Sequence, residues 1–160
     1  MSNKEDKFQL PEPGESKRGE SGYLGYLLRQ AAHAYRNRVE QVLSDLHLTS
    51  PQFSALTMLA AYPGHSSADL ARLALLTPQT MSVIVANLLK AKWVERRRHE
   101  VHGRILTIDV TEEGHGVLRA AKERVYALEH DLVFGLPAAQ EAAIRHWLVG
   151  VAKGQFSAGS

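Results

Sequence analysis

Between residues 77 and 110 the spacing of apolar residues changes from the helical period to a period of two, and this change restricts the fold more than any other feature of the chain. Thr77 is a residue type that caps helices, and Pro78 suits the first helical position, where its missing N–H leaves no bond unmade. The apolar residues that follow have the spacing of one buried helix face: Met81, Ile84, Val85, Leu88 and Leu89. The pattern predicts an amphipathic helix capped by Thr77.

The opposite face of this predicted helix is built mostly from small polar side chains. It holds Gln79, Thr80, Ser82, Val83, Ala86, Asn87 and Lys90. A helix face that meets only solvent more often carries Glu and Lys pairs, which stabilise an isolated helix. Because this face has no such pairs, we expect it to lie close against a partner.

After Trp93 the alternation predicts two strands, Val94–Arg98 and residues 104–110, around the polar loop HEVHG. The second strand places three apolar residues on one face: Leu106, Ile108 and Val110. The hairpin is strongly basic through Arg96, Arg97, Arg98 and Arg104. Such a cluster is typical of a surface that meets a polyanion, although consecutive arginines can also protect a strand edge from aggregation.

Further helical patterns lie on both sides of this segment. One helix begins at Thr49 or Ser50 and stops at Pro63-Gly64, and a short helix begins at Ser66. Longer patterns cover about residues 22–46, 112–134 and 138–153. Three helices followed by a hairpin describe a winged helix-turn-helix, so the predicted fold is mainly α with a small β-hairpin wing.

The end helices are predicted to dimerise. A long helix at each end carries a broad apolar stripe that a small winged domain cannot cover, and pairing with a second copy is the simplest way to bury it. The predicted organisation is then one domain at 21–153, with a flexible segment before it at 1–20 and a flexible tail after it at 154–160. Within the domain, dimerisation helices at about 22–46 and 112–153 lie on either side of a winged helix-turn-helix at about 49–111.

Composition excludes several classes of function. The chain has 160 residues, enough for one domain, and no cysteine, which removes disulfides, thiolate nucleophiles and cysteine zinc sites. No apolar run has the length of a membrane span, so a cytoplasmic protein without a membrane partner is expected. No phosphate-binding glycine loop, H-E-x-x-H or G-x-S-x-G motif is present, so we expect neither an enzyme nor a bound cofactor.

The predicted partner is double-stranded DNA. A helix fits the major groove, where base edges are distinguishable, and residues near its N-terminus usually reach them. Gln79, Thr80 and Ser82 are therefore the main candidates for base contacts, and the full set on the helix is Thr77, Pro78, Gln79, Thr80, Ser82, Val83, Asn87 and Lys90. On the wing, Arg96, Arg97 and Arg98 are expected to neutralise phosphates, and Arg104 is placed to enter a narrow minor groove.

The stretch LTSPQFSALTMLAAYPGHSSADLARLALLTPQTMSVIVANLLKAKWVERR, followed by HGRILTIDVTEEG, resembles the MarR family of bacterial transcription regulators. The resemblance covers about residues 22–153. It implies a homodimeric repressor that places one recognition helix in each half of a pseudo-palindromic operator, with DNA affinity modulated by a small aromatic or anionic effector. Many relatives have the motif D-x-R in the wing, and the matching residues of this chain are His102 and Arg104. Many relatives also have Arg on the recognition helix at the positions where this chain has Val83 and Asn87.

Effector and metal binding are the least determined features. Tyr26, Arg29, His33 and Phe53 are candidates for an effector pocket, although Phe53 also suits helix packing. Eight histidines raise the alternative of a zinc sensor, but His99 and His102 supply only half a site and the ligand spacing elsewhere is incomplete, so no metal is predicted. A winged helix used only for protein contacts is a further alternative, against which the basic hairpin argues.

Overall fold

The computed structural model describes residues 10–98 and 106–155. In chain order it contains α1 (Leu24–Leu43), α2 (Ser50–Ala61), α3 (Ser67–Leu73), α4 (Pro78–Lys90), β1 (Val94–Arg98), β2 (Leu106–Val110), α5 (Glu112–Val133) and α6 (Ala138–Ala152). The predicted mainly helical fold with one hairpin is confirmed. The predicted loop HEVHG and Arg104 lie outside the described residues. No single helix among the described residues is both long and apolar enough to cross a bilayer.

Side-chain caps fix where the helices begin. Thr49, rather than Ser50, caps α2: its Oγ1 accepts from the Gln52 N–H at 3.4 Å, and the Gln52 side chain accepts from the Thr49 N–H at 2.9 Å. Ser66 and Asp69 form the same reciprocal arrangement at α3. Thr111 caps α5 by accepting from the Gly114 N–H at 3.0 Å. Each cap satisfies backbone donors that the helix itself leaves free, which is worth about 1 kcal/mol.

One hydrophobic core joins the second half of α1 to α2, α3, α4, the hairpin and α5 as far as Val125. Its largest fully buried side chains are Leu43, Leu56, Leu59, Leu70, Met81, Leu88 and Val85. Burial of a side chain of this size contributes about 1.5–3 kcal/mol. In α4, the buried residues lie on one side of the helix, and the residues on the opposite side are exposed.

The hairpin packs on this core at its base. β1 and β2 are antiparallel, with Val94 opposite Val110 and Arg98 opposite Leu106. Ile108 is buried and Val110 half-buried, but Leu106 is 49% exposed because it lies beyond the core. The Ile108 N–H donates to the carbonyl of His65 at 3.4 Å, so the loop before α3 covers the second edge of β2.

The N-terminal region differs from the prediction. α1 begins at Leu24 rather than at about residue 22, and it ends at Leu43, where the 3-10 turn Ser44–Leu46 replaces its predicted last turn. Within the segment predicted to be flexible, Arg18 donates to Gln30 Oε1 in α1 at 3.0 Å and to the Pro11 carbonyl at 2.6 Å, and the flexibility of the segment stays a prediction. Residues 1–9 lie outside the described part of the chain.

The two ends of the chain form an apolar cleft of about 500 Å³ between the start of α1, the end of α5 and α6. We call this the end cleft; its apolar lining is Leu24, Leu27, Leu28, Ala31, Leu132, Val133, Leu136, Ile144, Trp147 and Leu148. Several of these side chains are largely exposed, with Leu24 at 67%, Leu132 at 60% and Trp147 at 43%. A contiguous exposed apolar surface of this kind marks an interaction site.

Three polar contacts tie α5 to α1 and the turn after it. Tyr35 donates its hydroxyl to Glu129, and burial together with this bond raises the pKa of Tyr35 well above its usual value of 10.0. Arg124 donates to the Val42 carbonyl at 3.1 Å and pairs with Asp45. The bond from Arg124 lowers the pKa of Asp45 from 3.8, so this pair stabilises the fold above pH 3.8 and the contribution is lost as the pH falls below that value.

We predict that Tyr35→Phe lowers the free energy of unfolding by about 1–2 kcal/mol, because the partly buried Glu129 carboxylate loses its donor. Urea denaturation at one fixed protomer concentration measures the change. Tyr126→Phe is the matched control on α5, since Tyr126 is 63% exposed, and it should shift the value by less than about 0.5 kcal/mol. Equal effects for the two variants would show that the Tyr35 bond contributes nothing.

Candidate nucleic-acid interface

Helix α4 has one buried face and one free face. Met81, Ile84, Val85 and Leu88 are buried in the core, as predicted. The residues predicted on the opposite face are all exposed: Gln79, Thr80, Ser82, Val83, Ala86, Asn87 and Lys90. We call these seven side chains the readout face. Thr77 and Pro78, at the start of the helix, are exposed as well.

The start of α4 is the predicted cap. Thr77 Oγ1 accepts from the Thr80 N–H at 3.1 Å, and Pro78 occupies the first turn. No acidic side chain lies in that turn. The free N–H groups and the positive end of the helix dipole therefore remain open to an anion, as a DNA phosphate requires.

Helices α3 and α4 are bent by 113° relative to one another across residues 74–77. Two helices at about 90–120° joined by a turn of three or four residues form a helix-turn-helix. Leu75, in this turn, has a φ of 55°, a left-handed conformation that lets the chain reverse within four residues. The bend presents the N-terminal end of α4 at the surface, which is the end that reaches base edges in such motifs.

The arginines of β1 are exposed but not equivalent. Arg97 donates to Glu95 Oε1 at 2.5 Å and lies 3.5 Å from Asp109 Oδ2. These two acids raise the pKa of Arg97, with the bond to Glu95 as the larger cause. Within residues 10–98 and 106–155, Arg96 and Arg98 have no ion pair. His102 and Arg104, predicted on the same wing, lie outside the described residues.

The four predicted effector residues differ in their surroundings. The Arg29 guanidinium lies over the ring of Tyr26 at 5.9 Å, and His33 is 3.1 Å from the Asn37 amide. Phe53 is half-buried and packs against the core, as the packing alternative expected. None of the four lines the end cleft or the two cavities that share lining residues with it. In the described part of the chain, no three His, Asp or Glu side chains gather as metal ligands.

Comparison with known proteins assigns the family. The sequence profile of the MarR family matches residues 46–105. This range begins at the last residue of the 3-10 turn Ser44–Leu46 and includes α2, α3, α4 and β1. The HTH-type transcriptional repressor Rv2887 of Mycobacterium tuberculosis is 37% identical over 125 residues, 78% of this chain and 90% of its own. The HTH-type transcriptional repressor Mb2911 of Mycobacterium bovis matches to the same extent. The chain belongs to the MarR family. It is a winged helix-turn-helix transcription regulator.

Solved structures agree with this placement. Rv2887 in complex with p-aminosalicylic acid superposes on this MarR-family chain with a TM-score of 0.66, at 34% identity over 82% of this chain and 99% of its own. MepR of S. aureus in its DNA complex has a TM-score of 0.77 at 22% identity, covering 84% of this chain and 97% of its own. At that identity the likeness to MepR shows the fold alone.

Sequence reasoning missed some features of the interface. The sequence analysis did not pair Arg97 with Glu95 and Asp109, yet both acids lie within 3.5 Å of its guanidinium group. The alternation of side chains along the strands could have predicted these two contacts of Arg97. Glu95 and Arg97 lie on one face of β1, and Asp109 is directly opposite Glu95. Thr107 was also missed: it is 5% exposed, and its hydroxyl donates to the Arg97 carbonyl at 3.4 Å.

Proposed function

We propose that this chain is a cytoplasmic, homodimeric repressor that binds a pseudo-palindromic operator through α4 and the hairpin. The observation that carries the proposal is the exposure of the whole readout face on a helix whose opposite face is locked into the core. A face of small and polar side chains fits into the major groove without long charged side chains in the way. The arginines on the adjoining hairpin supply the charge that binding to phosphates needs.

Each residue group has a distinct role in this proposal. Thr77 and Pro78 place the start of α4 near the DNA backbone. The readout face makes the base contacts, with Gln79, Thr80 and Ser82 nearest the helix start and Lys90 at its end. The wing arginines bind phosphates, and Arg104 remains the predicted minor-groove contact. As in the predicted organisation, residues 49–111 bind DNA and the helices on either side form the dimer.

The end cleft supports the homodimer. Its lining belongs to α1, α5, α6 and the turn between the last two, all within the segments predicted to dimerise. Exposed apolar area of this extent is costly in water, and each Å² removed from water contributes about 25 cal/mol. A two-fold partner that presents the same surface covers both clefts at once. The two α4 helices would then meet half-sites about 34–36 Å apart, one turn of the duplex.

Modulation by a small aromatic acid is proposed from the relatives. Rv2887 has been solved with salicylic acid and with p-aminosalicylic acid, and it is 34–35% identical to this chain in those structures. A carboxylate on an aromatic ring would suit a cation beside an aromatic face. Arg29 over Tyr26 supplies such a pair. These two residues therefore remain the candidates for effector contact, together with His33 and Phe53.

Binding to DNA should depend on salt through Arg96 and Arg98 more than through Arg97. We predict that Arg96→Gln or Arg98→Gln reduces the slope of log affinity against log salt by about 0.9 for each phosphate that is no longer neutralised, or about 1.8 per dimer. Arg97→Gln should change the slope less, because Glu95 and Asp109 already offset its charge. Fluorescence anisotropy with a labelled duplex across a salt series gives the slopes. Affinity that does not respond to salt would refute the proposed DNA-binding function.

Dimerisation should depend on the end cleft. We predict that Trp147→Glu weakens the dimer by on the order of 100-fold or more, because the change occurs twice across a two-fold interface. Tyr62→Glu is the control: Tyr62 is 49% exposed, close to the 43% of Trp147, but it is outside the cleft. Sedimentation equilibrium measures both dissociation constants. A Trp147→Glu protein that stays as dimeric as the control would contradict the proposed interface.

A further inference from the structure

An apolar side chain lies in the middle of the readout face. Val83 is 62% exposed. On a helix, residues four apart are neighbours on one face, so Gln79 precedes Val83 and Asn87 follows it along the same stripe. A single exposed valine is ordinary on a protein surface. This one, however, lies between two amide side chains on the face that is proposed to enter the DNA groove.

The hydroxyl groups of the readout face already have partners within the protein. Ser82 donates to the Pro78 carbonyl at 2.9 Å, and the Thr80 hydroxyl is 2.9 Å from that of Thr77. The amides of Gln79 and Asn87 have no side-chain hydrogen bond with the described part of the chain. These hydroxyl groups can still accept hydrogen bonds. Beside them, Gln79, Val83 and Asn87 form a stripe of an amide, an isopropyl group and a second amide.

Only one base offers an apolar group to such a stripe. In the major groove, thymine presents its C5 methyl group, whereas the other bases present only hydrogen-bond donors and acceptors. Asn and Gln pair with adenine in the same groove, so the flanking amides favour A·T pairs as well. Val83 is also held ready for the contact, because a valine in a helix occupies one χ1 rotamer about 90% of the time and loses little freedom on binding.

We propose that Val83 is a specificity-determining residue that reads the C5 methyl group of one thymine in each half-site. This inference rests on the proposed DNA-binding function. Four residues of helix rise about 6 Å and one base step rises about 3.4 Å, so Gln79 and Asn87 reach bases within about two steps of that thymine. The half-site is then centred on a T whose neighbours include adenines on either strand.

Deoxyuridine isolates this contact, since it differs from thymidine only by the missing methyl group and keeps every hydrogen bond. Duplexes are first selected with the wild-type protein from a random pool, and each thymine of the bound site is then replaced singly by deoxyuridine. At one thymine in each half-site, we expect the replacement to weaken wild-type binding about 4-fold, which is the effect of removing one buried methyl group. Replacement in both half-sites should weaken binding about 15-fold.

The valine variant completes the double-mutant cycle. Val83→Ala should bind the thymine and deoxyuridine duplexes equally at that position, while Gln79→Ala should keep the wild-type difference between them. Because Val83 is exposed, Val83→Ala should fold normally, and its circular dichroism and thermal unfolding check this. If no thymine shows a methyl effect that Val83→Ala removes, the inference is wrong although DNA binding stands. If selection yields no duplex that binds above the random pool, the proposed function itself fails and this inference with it.

Discussion

The burial of one side of α4 in the core determines how the rest of the molecule can act. Met81, Ile84, Val85 and Leu88 are all buried, so rotation of the helix about its axis would expose several large apolar side chains. The cap at Thr77 fixes where the helix begins, and the bend from α3 brings that end to the surface. Because packing and capping are local and strong, the readout face is presented in one orientation before any ligand arrives. Preorganisation of this kind reduces the entropic cost of binding.

The core and the ends of the chain have different roles in the fold. The core buries the apolar side chains of the winged helix-turn-helix and of the inner parts of α1 and α5. The outer parts of α1 and α5, together with α6, line the apolar end cleft. Tyr35 with Glu129, and Arg124 with Asp45, join α5 to α1 and the turn that leads into α2. These contacts hold α1 and α5 together close to the point where the chain enters α2.

Features set by neighbouring residues were predictable from the sequence, and features set by distant contacts were not. The cap at Thr77, the start of α3 at Ser66 and the buried stripe of α4 follow from local spacing, and the structure confirms them. The fold-back of Arg18 onto Gln30 and the burial of Thr107 depend on tertiary contacts that no local pattern records. The contacts that residues make with DNA or with an effector stay predictions, because they depend on the shape of a partner.

Hydroxyl-radical footprinting of the selected operator tests the central claim most directly, since it shows where the two recognition helices meet the duplex. The account predicts two protected clusters related by a two-fold axis, with their centres about 10–10.5 base pairs apart on one side of the duplex. One cluster alone, or two clusters on opposite sides of the duplex, would contradict a dimer that presents both α4 helices in successive major grooves.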